Sequence, residues 1–180
     1  MSDTLITIIA IFLAAVLMFI FPLMSVSERN DDIAQTVVQT ATSEFTSKIS
    51  TQGVITVADY ENFMNRLAAT GNTYDVEIEV QKLDESYGKK SSIVESSSIG
   101  ENARYSIFTG DVLNNVYGGS DGYGYGLNKG DNVIVTVKNT NRTIAQILRT
   151  FLYRITGKGN YTIAASSSSM VINTNLKPDT

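Results

Sequence analysis

The sequence predicts an α+β protein: a long apolar N-terminal helix followed by a small head in which an antiparallel sheet of three or four strands is packed by helices. Three observations predict it. Leu5 to Met24 run for 20 positions without a charge. Thr73–Leu83 and Asn132–Asn139 alternate apolar and polar side chains with the period of a half-buried strand. Ile33–Ile49, Ala58–Thr70 and Thr143–Ile155 repeat their apolar residues at helical spacing.

The first run is long enough, at about 1.5 Å per residue, to span the roughly 30 Å hydrocarbon core of a bilayer. Thr7 is its strongly polar side chain, and a helical threonine can bond a carbonyl one turn back. A secretory signal needs a basic start, and Met1-Ser-Asp-Thr has no basic side chain, although Ser25-Val-Ser27 would pass as a cleavage site. The run is therefore expected to stay in place as a single membrane-embedded helix. Leu5, Ile9, Phe12, Val16 and Phe19, with Ala10, Ala14, Ala15 and Pro22, are the residues expected to meet lipid or neighbouring helices. Ala10 and Ala14 stand four apart and would let two backbones approach closely. Pro22 removes a backbone donor and predicts a kink.

The helix is expected to continue. Ile33, Val37, Ala41, Phe45 and Ile49 recur every fourth position, Val38 widens the stripe, and Thr, Gln and Ser fill the other faces. Asn30, Asp31 and Asp32 could cap a fresh start before it. The expected division is a membrane or filament-core helix over 1–29 and a head over 30–180, with 30–50 continuing the helix amphipathically.

Composition narrows the chemistry. Eighteen acidic residues against fourteen basic ones give a net charge of -4, which argues against nucleic acid as a partner. There is no cysteine and no histidine, which excludes disulfides, thiolate chemistry, histidine triads and zinc sites of the usual kind. A Ser–Lys pair is conceivable, but most serines lie in polar runs. Asp75, Glu77 and Glu79 alternate along a strand and are expected to face water, where two of them could hold a hard cation weakly. No enzymatic activity, cofactor or metal is expected.

In the head, Thr56-Val-Ala-Asp59 has the form of a capping box with Asp in place of Glu, and Gly71-Asn72 ends the helix it opens. Tyr74, Val76, Ile78 and Val80 form the apolar side of the first strand. Residues 84–103 are a polar, Ser-rich excursion. Arg104–Phe108 predicts a short strand, and Thr109 caps one or two helical turns ending at Gly118. Gly118–Asp131 packs six glycines and two tyrosines into 14 residues, but a strand rather than a helix follows, which is the wrong context for a phosphate loop. Tyr117, Tyr123 and Tyr125 make this a possible contact loop, since tyrosine offers large area at low entropic cost. Val133, Val135 and Val137 share one face of the next strand, and Thr140-Asn141 can cap the helix after it. The last strand comes in two halves around four serines, read as an exposed strand or a bulge, and the tail after Asn173 should fray. Asn141-Arg-Thr143 and Asn160-Tyr-Thr162 fit the glycosylation acceptor pattern, with a helix cap as the simpler role for Asn141.

Three stretches together resemble a family. Ile55–Glu79, Lys129–Arg154 and the proline-ended apolar helix are similar to small single-span membrane proteins of Gram-positive, mostly clostridial, bacteria, which are themselves like pilin components of tight-adherence (Tad) and type IV pilus-like systems. The matching elements are Thr70-Gly71-Asn72, Tyr74-Asp75, Gly130-Asp131, Asn139 and Thr143. The resemblance implies a lollipop whose apolar helix sits in the membrane before assembly and bundles in a filament core afterwards. It implies identical subunits and membrane assembly machinery as partners, with lipid met through residues 5–24 and the head outside the cell. The sequence departs from type IV pilins in two places: no basic leader ending in Gly stands before the helix, as expected either of a mature chain or of one that a prepilin peptidase never cuts, and Leu5 stands where those pilins usually carry a Glu. The alternative is a membrane-anchored accessory or binding protein that never polymerises.

Overall fold

The computed structural model describes residues 2–83, 104–118, 124–153 and 162–174. The expected excursion over 84–103, Tyr123, Tyr161 and the tail over 175–180 lie outside the described residues, as do the side chains of Phe151 and Leu152.

Helix α1 runs unbroken from Ser2 to Gln52, 51 residues with Pro22 inside it. Its length is about 75 Å. No new helix starts at Asn30–Asp32. Asp31 is buried and accepts a hydrogen bond from the Thr143 hydroxyl at 2.7 Å instead of capping. Thr7 donates to the Asp3 carbonyl at 2.8 Å, the bond expected of a threonine in an apolar helix.

The buried stripe of α1 is Ala34, Val38, Ala41, Phe45 and Ile49. The every-fourth-residue row therefore needs correction at its start: Ile33 is 54% exposed and Val37 lies at the rim. A step of four residues overshoots a full turn by about 40°, so a strict row winds off one face, whereas mixed steps of three and four stay on it. Thr42, Thr46 and Ser50 are buried beside the stripe. Each hydroxyl donates to the carbonyl one turn back, Thr42 to Val38 at 2.7 Å, Thr46 to Thr42 at 2.8 Å and Ser50 to Thr46 at 2.5 Å. Their polar demand is met inside the helix, so these small side chains can be buried without loss.

The strands are β1 (Val54–Ile55), β2 (Tyr74–Leu83), β3 (Arg104–Phe108), β4 (Tyr125–Gly126), β5 (Asn132–Asn139) and β6 (Ala164–Met170). The other helices are α2 (Val57–Ala68), α3 (Thr109–Gly118) and α4 (Ile144–Tyr153). A four-stranded antiparallel sheet has the order β3-β2-β5-β6. Val76, Ile78 and Val80 pair in register with Val137, Val135 and Val133, and all six are buried against α1, α2 and α3 in one core. Asp75, Glu77, Glu79 and Gln81 occupy the opposite, more open face, as the alternation requires. The four serines of β6 pair with β5 from Ser166 to Ser169 without interruption, so this is a regular edge strand and not a bulge.

Helix α1 clasps that edge. The Gln35 side-chain amide donates to the Ala164 carbonyl at 2.7 Å and accepts from the Ala164 N–H at 3.0 Å, as a neighbouring strand would. At the far end the Ile172 N–H donates to the Ser50 carbonyl at 3.0 Å. Phe45 of α1 stacks on Phe63 of α2 with ring centroids 4.5 Å apart. The capping box forms, with the Asp59 N–H donating to the Thr56 hydroxyl at 3.1 Å. Thr109, expected to cap α3, serves the sheet instead: it accepts from the Ile78 N–H at 2.7 Å, extending the ladder of β2 past the end of β3.

The pairing of β1 with β4 was not signalled by periodicity. It brings the Gly-rich segment back onto the end of α1, with Val54 opposite Gly126 and Ile55 opposite Tyr125. Gly124 makes the approach with φ +83, and a Cβ built there would stand 2.2 Å from the Ile55 carbonyl oxygen. Gly124→Ala is expected to destabilise the head by on the order of 1–3 kcal/mol, by strain and clash together. Gly126→Ala, which meets nothing within 4 Å, should melt with the parent in thermal denaturation. Thr46→Val removes a hydroxyl and keeps the shape, and should shift stability by less than about 1 kcal/mol. Thr46→Leu should cost about 1–3 kcal/mol by prising α1 off the sheet; both are read by denaturant unfolding.

Candidate membrane and assembly surface

The outer half of α1 is bare. Leu5, Ile9, Phe12 and Phe19 are 56–77% exposed, Ala10, Ala14, Ala15 and Pro22 are exposed, and Val16 is half-exposed. The helix is long and apolar enough to cross a membrane, and its most apolar window has no residue buried by the head. Twenty uncharged positions that the described residues leave uncovered form an apolar surface long enough for a membrane anchor or a signal sequence, and exposed apolar area on this scale is costly in water.

Contact with the head starts at the turn Ser27–Asp31. Ser27 is buried, and Glu28 accepts from Arg149 of α4 through both Nε at 2.9 Å and Nη2 at 2.8 Å. The Thr143 hydroxyl donates to Asp31 and also accepts from the Gln146 N–H at 3.2 Å, so Thr143 is the cap of α4. Asn141, the expected cap, does other work. Its side chain accepts from the Thr73 N–H at 2.8 Å and donates to the Asn72 side chain at 3.1 Å, locking the α2–β2 turn to the β5–α4 turn. Thr140 closes the same junction through its N–H to the Thr73 carbonyl at 2.9 Å. Ser27, Asp31, Asn72, Asn141 and Thr143 line a polar cleft of about 240 Å³ at the neck. Thr70-Gly71-Asn72 and Thr143, far apart in the chain, meet there.

Helix α4 seats one side on α1, with Ala145 buried and Leu148 half-buried. A second side, Ile144 and Ile147, is exposed. At the core-facing end of β5, both amide atoms of Asn139 are buried without a hydrogen-bond partner among the described residues.

The tyrosines divide. Tyr117 is exposed and meets Tyr60 edge-to-face at 6.4 Å. Tyr125 is in the core, with the Lys82 ammonium 4.8 Å from its ring centroid, so it is no part of an exposed contact loop. The reason is the β1–β4 pairing, which turns its side chain inward. Tyr123 lies outside the described residues. On the open sheet face Glu79 accepts from the Ser106 hydroxyl at 2.6 Å and the Gln81 amide at 3.1 Å, and these two bonds hold its carboxyl below the ordinary value. Asp75 stands opposite Lys138 in register. No group of three potential metal-ligating side chains occurs among the described residues.

Between α1 and α2 a shallower cleft carries two ion pairs. Arg66 bonds Glu44 in the open, and Lys48 reaches the buried Asp59 at 2.5 Å. Burial would raise the Asp59 carboxyl, but bonds from Lys48 and Thr56 outweigh it and hold the group below 3.8.

Compared with family models, with curated proteins and with solved structures, the chain gave no match.

A carboxyl lowered on folding contributes stability above its ordinary value and loses it as pH falls through the lowered one. Unfolding curves should therefore be level from about pH 7 to about pH 5 and fall away below 3.8 as Asp59 takes up a proton. Asp59→Asn should be less stable at neutral pH and show a flatter acid limb; equal acid limbs would remove Asp59 from this account.

Proposed function

We propose that this chain is a structural, pilin-like subunit of a bacterial surface filament of the Tad or type IV kind. The apolar half of α1 is held in the membrane before assembly and bundles with identical helices afterwards. One observation carries the reading: a single unbroken helix is welded into the head core from Ala34 to Ile49 and is bare from Leu5 to Val26. An anchor alone needs no rigid connection to its head. A filament subunit does, because the helix must position the head against its neighbours. Pro22 leaves the Met18 carbonyl without its helical partner, a local softening inside the bare half. Ala10 and Ala14 lie on one face there and would permit close helix packing. The outward-facing head rests on its Ser, Thr, Asn and Gly content. The membrane assembly machinery and the identical subunits are the partners this reading names.

The deciding experiment shears producing cells, pellets the released material and images it by electron microscopy, with mass spectrometry of the main component. Regular filaments dominated by this chain are the expected result. A scarce chain that stays with the membrane would replace the subunit reading with that of an anchored accessory protein.

A further inference from the structure

We propose that α4 is a second membrane contact, laying Ile144 and Ile147 into the headgroup layer of the same bilayer that holds Leu5–Met24. The proposal rests on the membrane reading of α1 and adds a surface to it. Three observations carry it.

The first is position. The Glu28–Arg149 and Asp31–Thr143 bonds pin α4 across the turns of α1 that follow the apolar run. Glu28 stands four residues after Met24, about 6 Å along the helix. An element fixed there is at the level where a bilayer surface would lie. The second is the bare apolar side. Ile144 and Ile147 are 61% and 53% exposed although Ala145 and Leu148, one position on, are seated against the head. The third is charge. The chain is acidic, yet from Asn132 to Tyr153 it carries Lys138, Arg142 and Arg149 and no acid. Arg142 is exposed beside Ile144. Arg149 is held by Glu28 and Lys138 stands opposite Asp75, so Arg142 is the basic group that would meet an anionic lipid surface beside this apolar side, which would enter it by about 5–10 Å.

A second protein is the weaker occupant. Two isoleucines fall far short of the roughly 1,200 Å² that a stable protein interface buries. A lipid surface needs no such area here, because α1 already tethers α4 to it and makes the contact intramolecular. The consequence is mechanical. A head held at two points on the membrane has a fixed tilt, and it must release α4 when its subunit leaves the bilayer.

The chain has no cysteine, so single labelling sites can be introduced cleanly. The full chain would be reconstituted in phosphatidylcholine–phosphatidylglycerol vesicles with an environment-sensitive fluorophore at Leu13→Cys, Ile147→Cys or Thr136→Cys, and quenched by lipids carrying nitroxide at shallow or deep positions. Ile144→Cys repeats the α4 measurement should Ile147→Cys fail to fold. Deep quenching at 13, shallow quenching at 147 and none at 136 is the expected result. Quenching at 13 with an aqueous signal at 147 overturns the α4 contact and leaves the anchor standing. A shielded probe at 147 that lipid nitroxides do not quench assigns the face to another copy of the chain and also overturns it. An unquenched probe at 13 removes the membrane reading of α1, and the inference falls with it.

Discussion

The packing of α1 against β5 and β6 is the interaction on which the rest depends. It is built from small residues. Thr42, Thr46 and Ser50 are buried beside Val38 and Ile49 on α1, while Ala41 and Phe45 turn toward α2, where Phe45 stacks on Phe63. The hydroxyls could be buried because each is bonded within the helix. The same helix supplies what the edge strand lacks, through Gln35 at one end and the Ser50 carbonyl at the other. An antiparallel sheet with one covered face needs this: its edge would otherwise offer unpaired groups to any passing chain.

Because one continuous helix carries both the head-packed stripe and the apolar run, its two halves are mechanically coupled. The inner half is fixed by the core, so the core sets the direction in which the bare half leaves it, as far as the missing helical hydrogen bond at Pro22. The neck adds polar bonds just after the apolar run ends. Glu28 and Asp31 lie far in sequence from Asn141 and Thr143, and each bond joins α1 or the α2–β2 turn to α4 or the segment leading into it. Hydrogen bonds to charged groups contribute more than neutral ones, about 1.5–3 kcal/mol each when well shielded. This is a reasonable place to concentrate them, since no apolar core extends so far down.

Much of the head was legible from local pattern. The period-2 runs of β2 and β5 gave their inward faces correctly, and the apolar Tyr60, Phe63, Met64 and Leu67 stripe found α2 and its packing side. Thr56 and Asp59 capped α2 as their spacing required. What failed was assignment of polar residues with more than one partner within reach. Thr109 and Asn141 sit where a cap is expected, yet each bonds the backbone of a distant strand or turn, at Ile78 and Thr73. Asp31 could cap a helix and instead holds Thr143. A cap is a local bond with a local signal; these bonds join residues 31 to 112 positions apart. Tyr125 failed for a related reason, since a two-residue strand carries no periodicity to reveal which way its side chain turns.

The sequence by itself determined which stretch of this protein is apolar on every side and which stretches are apolar on one side. Twenty uncharged residues, a following amphipathic stretch and two alternating strands are properties of composition and period, and burial of apolar area acts on them wherever they fold. The tertiary structure decided how those parts are joined. That α1 never breaks, that α4 lies beside the turns that follow its apolar run, and that the Gly-rich segment returns to its end through Gly124 all depend on contacts between distant residues. Such contacts are selected by shape and by the pairing of buried polar groups, and neither leaves a mark in any short window of sequence.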